Sequence, residues 1–357
     1  MASIKKFYKN KKILVTGATG FKGAWLCSWL IKLGAKVYGL GFNPNENKNL
    51  FYQLKLNKKI KFKIFDIRNY KELDRYVKKI KPSIIFHLAA QPLILKSYED
   101  PYLTFTVNYL GSTNIMEVTR KYNFIKSVVL VTTDKVYESS NNTKGFKEND
   151  LLGGIDPYSA SKSSTELMIR AYRESFFKNK IKCGISSVRA GNVIGGGDWS
   201  KNRLIPDSIR SSIRNKTIVL RNPNFNRPWQ FVLEPIKGYL ILAKKQFKNP
   251  LKFSTAWNFG NKSKSVTTVS QIVEYIIDYW GSGKLKKLSK NKVYEQENLQ
   301  LNSSKAMILL KWKPTYNVKQ SVEVTTEWYY QVLKLKKKPS EVTDKQIEKY
   351  MHENKWY

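Results

Sequence analysis

The sequence predicts an α/β fold, a doubly wound parallel sheet followed by a smaller α/β part towards the C-terminus. Three observations carry that expectation. A short apolar run, KILVT at Lys12–Thr16, leads through the glycine-rich turn GATGFKG into a stretch with helical apolar spacing. Further short apolar runs then alternate with helical stretches, the pattern of successive βαβ units. The third is composition: 41% hydrophobic residues suffice for a packed core, and no internal repeat or long low-complexity segment points to another architecture.

Taken in order, Lys12–Thr16 reads as a buried parallel strand. Gly17, Gly20 and Gly23 follow, and AWLCSWLIKLGA reads as a helix closed at Gly34. Strand, glycine turn and helix N-terminus together suit a pyrophosphate, because glycine admits close backbone approach and the helix end favours negative charge. Lys36–Gly41 is the second strand. Dinucleotide sites of the NAD type place an acidic residue at its end for the ribose hydroxyl, but the next one here is Glu46, and no arginine stands there for a ribose phosphate. This stretch leaves NAD and NADP both open. The third strand, Ile60–Phe65, ends at Asp66 and Ile67. Asp66 suits an adenine amino group or a helix N-cap. A helix over Tyr70–Ile80 precedes the fourth strand, Ser83–Leu88, which runs into Ala89, Ala90 and Gln91. Small residues there let a cofactor lie against the strand end, and His87 within the strand reads as structural.

A long helical stretch, Leu103–Tyr122, leads to the fifth strand, Ser127–Thr132, with Thr133, Asp134 and Lys135 at its carboxyl end. Ligands of open α/β sheets bind at that end of the strands, so the three residues are either site groups or a polar turn. A polar segment reaches DPYSASK at Asp156–Lys162. In a helix, Tyr158 and Lys162 share one face. An ammonium near a phenol favours the phenolate, which can take a hydroxyl proton while hydride leaves the same carbon. The sixth strand, Cys183–Arg189, is followed by the glycine-rich AGNVIGGGDW. Beyond it, Arg203, Arg221 and Arg227 suit bidentate phosphate contacts. Phe231–Lys245 and Ala256–Gly260 read as a helix and a strand that rejoin the sheet, and Val269–Tyr279 as a helix.

The net charge is +37. Lysines are spread along the whole chain, without a long basic block or interleaved aromatics, so nucleic-acid binding is not expected. The positive potential would instead steer an anionic small molecule. Two cysteines, Cys27 and Cys183, exclude a disulfide framework and favour a reducing compartment, the cytoplasm. No signal-peptide pattern or long apolar run is present, so no membrane association is expected.

GxxGxxG, TTDKVY and YSASK in this order resemble the extended short-chain dehydrogenase/reductase family. Further stretches, among them LAAQP, RAGNVIGGGDW, RNPNFNRPWQFVLEP and AWNFG, are similar to its CDP-glucose 4,6-dehydratase branch. The resemblance implies a Rossmann domain of residues 1–190 plus 229–262, a nucleotide-sugar domain of 191–228 plus 263–335, and a C-terminal tail, 336–357. It implies NAD as an internal hydride store, held by Gly17, Thr19, Gly20, Phe21, Gly23, Asp66, Ile67, Leu88, Ala89, Ala90, Tyr158 and Lys162. Tyr158, lowered by Lys162, would take the C4 hydroxyl proton, with Thr133 orienting that hydroxyl. Asp134, kept protonated, would act on the C6 hydroxyl. The related dTDP-sugar enzymes carry Glu where Lys135 stands; here Lys135 would take the C5 proton if burial and Lys162 lowered its pKa. Asn192, Arg203, Arg221 and Arg227 would hold the CDP-glucose diphosphate. No metal is implied, and a homodimer through helices 103–122 and 159–178 is.

Overall fold

The computed structural model describes residues 4–42, 49–138, 144–178, 183–220, 222–261, 267–287 and 300–356. β1 (Lys12–Thr16), β2 (Lys36–Gly41), β3 (Lys61–Ile64), β4 (Ile84–His87), β5 (Ser127–Val131) and β6 (Gly184–Ala190) lie within a residue of the six strand runs read from sequence. β7 (Val193–Ile194) pairs with β9 (Gln230–Phe231), and β8 (Thr217–Leu220) pairs with β11 (Lys284–Lys287). β10 (Trp257–Phe259) joins the main sheet beside β6. The main sheet has the order β10-β6-β5-β4-β1-β2-β3, and every pairing in it is parallel. The sheet grows one way from β1 to β3, then returns to the other side of β1 at β4. A crevice forms at such a switch point, above the strand carboxyl ends.

The alternation along β1 explains why the sheet is covered on both faces. Ile13 and Val15 enter one core cluster and Leu14 the other. Helices Phe21–Lys32 and Leu233–Lys248 supply Trp25, Leu26, Tyr239 and Leu240 to the first. Helices Tyr70–Ile80, Gly111–Lys121 and Pro157–Tyr172 supply Leu73, Ile115, Met168 and Ile169 to the second. β3 is the edge strand, and its exposed Lys61 and Lys63 discourage pairing with another chain.

The long helical stretch before β5 is interrupted. Asp100 caps a helix at Pro101–Phe105, a π turn follows over Thr106–Leu110, and Gly111–Lys121 completes it. The π turn carries the buried Asn108, whose amide donates to the Ser161 hydroxyl and the Gln91 carbonyl. It thereby ties the end of β4 to the helix that carries Tyr158.

Beyond β6, Gly196 and Gly197 sit where no larger residue fits. A Cβ on Gly196 would enter the Trp328 ring, and Gly197 has φ +80° with Leu50 against it. β8 and β11 carry Ile218, Leu220 and Leu285 into a small separate cluster with Val273 of the helix Val269–Trp280. The last segment, 336–357, contains a helix, Pro339–Glu353, that buries Val342, Ile347, Tyr350 and Met351 in the main core.

Candidate active site

The glycine turn is shaped by its contacts. Gly17 has φ +71°, and a Cβ on it would lie 2.6 Å from the Ala89 nitrogen. The turn therefore rests directly on Leu88 and Ala89 at the end of β4, which are half-buried together with Ala90. A Cβ on Gly23 would strike the Gly17 carbonyl, so helix and turn also touch. Gly20 is the N-cap of Phe21–Lys32 and offers no side-chain cap. The helix N–H groups thus keep free hydrogen-bonding capacity toward an anion. Thr19 packs against Gly41 and donates to the Phe42 carbonyl at 3.2 Å. These features fit the pyrophosphate of a dinucleotide.

Beneath the turn, Thr16 and His87 link β1 to β4 through a 2.6 Å contact, Thr16 Oγ1 to His87 Nδ1. Ser112 donates to the Asn108 carbonyl, so His87 Nε2 donates to Ser112 and Nδ1 accepts from Thr16. Burial, with the Lys162 charge, pushes His87 down to about 3. It is a neutral structural group, as its place in the strand implied.

Asp66 departs from one of its two readings. Asn69, not Asp66, caps Tyr70–Ile80, accepting from Glu72 N–H. Asp66 is instead gripped by Arg68, at 2.6 Å to its Nη2, and that hydrogen bond holds its carboxyl below the usual range. Ile67 packs against Gly111.

Thr133, Asp134, Lys135, Tyr158 and Lys162 converge at the end of β5. Asp156 caps the helix Pro157–Tyr172 by accepting from Ser159 N–H at 2.9 Å, and Pro157 occupies its first turn. This start places Tyr158 and Lys162 one turn apart on the inward face, both buried. Asp156→Ala should cost about 1 kcal/mol and lower the thermal midpoint, whereas Asp156→Asn should leave it near wild type. Glu166, one turn beyond Lys162, is locked against the sheet. It pairs with Arg189 of β6 at 2.8 Å and accepts from Thr132 and Ser187.

The electrostatics depart from expectation at Tyr158. Burial raises the phenol to about 12, Thr133 and Arg203 act to lower it, and Asp134 and Asp156 raise it further. Lys162 donates to the Val131 carbonyl at 3.3 Å. Lys162 is itself brought down to about 8 by burial and by Lys22. The downward pull on Tyr158 comes from Thr133 and Arg203 rather than from the expected Lys162, and the net shift is upward because removing a phenolate from water outweighs that pull. At Asp134, burial raises the carboxyl against the opposing pull of Lys135, Thr133 and Arg227. Its Oδ1 accepts from Thr133 at 3.0 Å, and its buried Oδ2 has no hydrogen-bond partner among the described residues. Lys135 is half-buried, with its backbone N–H toward the Thr133 hydroxyl.

The more distant candidates are partly gathered. Arg203 pairs with the buried Asp198 of GGGDW at 2.8 Å and acts electrostatically on Tyr158. Arg227 lies over the Phe225 ring, donates to the Asn226 carbonyl and acts on Asp134. Asn192 stands after β6, and its carbonyl accepts from Gln230 of β9. Arg221 lies outside the described residues. Sequence reasoning passed over Lys22. The only signal was a lysine inside GATGFKG, in the first turn of the helix.

The family profile described as GDP-mannose 4,6 dehydratase matches residues 14–325. The CDP-glucose 4,6-dehydratase of Salmonella typhimurium is 41% identical over 330 residues, covering 91% of this chain and 92% of that protein. The chain belongs to the extended short-chain dehydrogenase/reductase family. A UDP-glucuronate 4-epimerase of Thermodesulfobacterium geofontis is 25% identical over 88% of this chain and 95% of its own length. Among solved structures, a dTDP-glucose 4,6-dehydratase of Bacillus anthracis in complex with NAD aligns with a TM-score of 0.75 and 23% identity. That alignment covers 90% of this chain and 97% of the other. A UDP-glucose 4-epimerase of Thermotoga maritima with UDP-glucose aligns with a TM-score of 0.77 and 22% identity, over 90% and 99%. These structures share the seven-strand parallel sheet and small C-terminal α/β part. No described helix is long and apolar enough to cross a membrane.

Proposed function

We propose that this chain is a CDP-glucose 4,6-dehydratase, a hydro-lyase that removes water from CDP-glucose without net oxidation and forms CDP-4-keto-6-deoxyglucose. Such a product suits deoxysugar and surface-polysaccharide synthesis. The observation that carries the reading is Asp134. It is a buried carboxyl with a raised pKa and an unpartnered oxygen beside Thr133 and Tyr158. A 4-epimerase needs a tyrosine base but no acid for a leaving hydroxyl. The 41% identity with the Salmonella dehydratase over most of both chains supports the same choice.

The cofactor in this reading is NAD, with its pyrophosphate over Gly17, Gly20 and Gly23, against Thr19 and Phe21. Asp66 and Ile67 would lie towards the adenine, and Leu88, Ala89 and Ala90 beneath the ring system. When bound, NAD would supply a hydride acceptor for C4 and, once reduced, the hydride donor for C6. Tyr158 takes the C4 hydroxyl proton, with Thr133 and Lys162 positioning it. The resulting ketone acidifies the C5 hydrogen. Lys135 takes that proton, the C5–C6 double bond forms as Asp134 protonates the C6 hydroxyl leaving as water, and Lys135 returns the proton to C5 as C6 is reduced. A neutral, protonated Asp134 is required for this, and burial works in that direction.

Asn192, Arg203, Arg221 and Arg227 hold the nucleotide diphosphate in this reading. Arg227→Ala should raise KM at least tenfold with kcat little changed, because diphosphate contacts act equally in ground and transition states. Steady-state kinetics separate this from a collapse in kcat, which would place Arg227 in the chemistry. The divided domain arrangement is part of the proposal, supported by β10 lying beside β6 and by the separate β8–β11 pair. The homodimer is too. Phe105, Tyr109, Leu110, Leu167 and Phe176 are exposed on the two helical stretches at the proposed interface. Two buried free cysteines are consistent with the cytoplasm.

Incubation with CDP-glucose and NAD tests the function, with loss of water followed by mass spectrometry. A basic, non-catalytic nucleic-acid module is disfavoured by the convergence of Thr133, Tyr158 and Lys162 at one strand end.

A further inference from the structure

Lys22 is the one cation at the centre of this site to which neither the sequence motifs nor the proposed reaction gives a task. It stands in the first turn of Phe21–Lys32, two residues beyond Gly20. Its stem is half-buried, and Nζ lies 5.9 Å from the centre of the buried Tyr239 ring. The Tyr239 hydroxyl has no hydrogen-bond partner among the described residues. No described carboxylate lies within ion-pair distance of Lys22, whereas Arg203 has Asp198. Two charges act on Lys22, Arg203 of the segment after β7 and Asp134 at the end of β5, and Lys22 in turn acts on Lys162 of the helix that carries Tyr158. Burial and Arg203 bring Lys22 down to about 8, and Asp134 alone pulls the other way.

Lys22, Lys135 and Arg227 are thus all coupled to Asp134, a carboxyl that is itself inclined to be neutral, while Arg203 already has Asp198. Such an excess of half-buried positive charge is unfavourable until an anion enters. Lys22 is the member in the first helical turn after the glycine motif, and Arg203 is the charge that acts on it most. We propose that Lys22 binds a diphosphate oxygen where the glycine turn and Arg203 meet, and so supplies affinity rather than proton transfer. That diphosphate belongs either to the dinucleotide or to the nucleotide sugar. The inference rests on the dehydratase reading only for which sugar nucleotide is used.

The test measures binding of NAD and of CDP-glucose separately, by calorimetry, to wild type, Lys22→Met and Lys22→Arg. Methionine keeps the length of the stem without its charge. Lys22→Met should weaken one of the two ligands by about 10- to 100-fold, the loss of one charge-assisted hydrogen bond. The ligand affected identifies whose diphosphate Lys22 holds. Lys22→Arg should recover most of the affinity. The thermal midpoint of ligand-free Lys22→Met should not fall, since an unpaired cation has been removed. If that variant does not fold, Lys22→Gln serves for the same comparison. Unchanged affinity for both ligands overturns the proposal, as does a collapse of kcat at unchanged affinity, which would make Lys22 a proton-transfer group. Failure of wild type to bind either ligand would instead overturn the dehydratase reading.

Discussion

Tyr158→Phe should lower kcat by about 10²- to 10⁴-fold, the usual worth of a positioned base, while leaving CDP-glucose affinity near wild type. The reason is local. The ring of Tyr158 is buried and would be kept by phenylalanine, so the helix, its Asp156 cap and the packing above β5 should be undisturbed. Only the group that accepts the C4 hydroxyl proton is lost. The elevated phenol makes the prediction sharper. Burial holds Tyr158 at about 12, so it must be brought down when the site fills. Arg203 already pulls that way, and a protonated Lys162 beside a substrate hydroxyl would add to it. Steady-state rates and substrate titration check both halves. Residual activity above about a tenth of wild type would remove Tyr158 from the role of base.

Lys135→Met should stop elimination and leave the first proton transfer in place. Thr133, Asp134 and Lys135 occupy one turn, yet Tyr158 alone meets the needs of C4. The variant should lose exchange of solvent deuterium into C5 and lose dehydration, each by at least about 10²-fold. Asp134→Asn should separate the two events differently. Its C5 exchange should persist because the base remains, while water loss falls steeply because asparagine cannot deliver a proton to the departing hydroxyl. Among the described residues Asp134 is the carboxyl acting on Lys22, so binding should be measured alongside. Single-turnover mixing with deuterium analysis of the recovered sugar distinguishes the variants. Wild-type C5 exchange in Lys135→Met would mean that the base lies elsewhere.

The sheet was legible because its strands are short, apolar and punctuated. KILVT, SIIFHL and SVVLVT all became parallel strands within a residue of their runs. The position of Thr133, Asp134 and Lys135 followed from the general rule about strand carboxyl ends, and the helical spacing brought Tyr158 and Lys162 to the same place. Three features were not legible, one because it turns on the local backbone path and two because they depend on contacts distant in sequence. Asp66 and Asn69 are both good caps, and only the backbone path shows that Asn69 takes the task. The rise in Tyr158 is a burial effect created by packing the Tyr158 helix against the sheet, and a YxxxK motif carries no measure of it. Lys22 acts on Asp134, Arg203 and Lys162 across a gap of more than a hundred residues. Inside a glycine motif, a lysine otherwise reads as a solvated first-turn residue.

The most direct measurement is the mass of the sugar nucleotide recovered after CDP-glucose is incubated with the protein and NAD. The dehydratase reading predicts a product lighter by one water, formed without accumulation of NADH. An isomer of unchanged mass would contradict it in favour of 4-epimerisation, and NADH formed in step with product would contradict it in favour of a simple dehydrogenase.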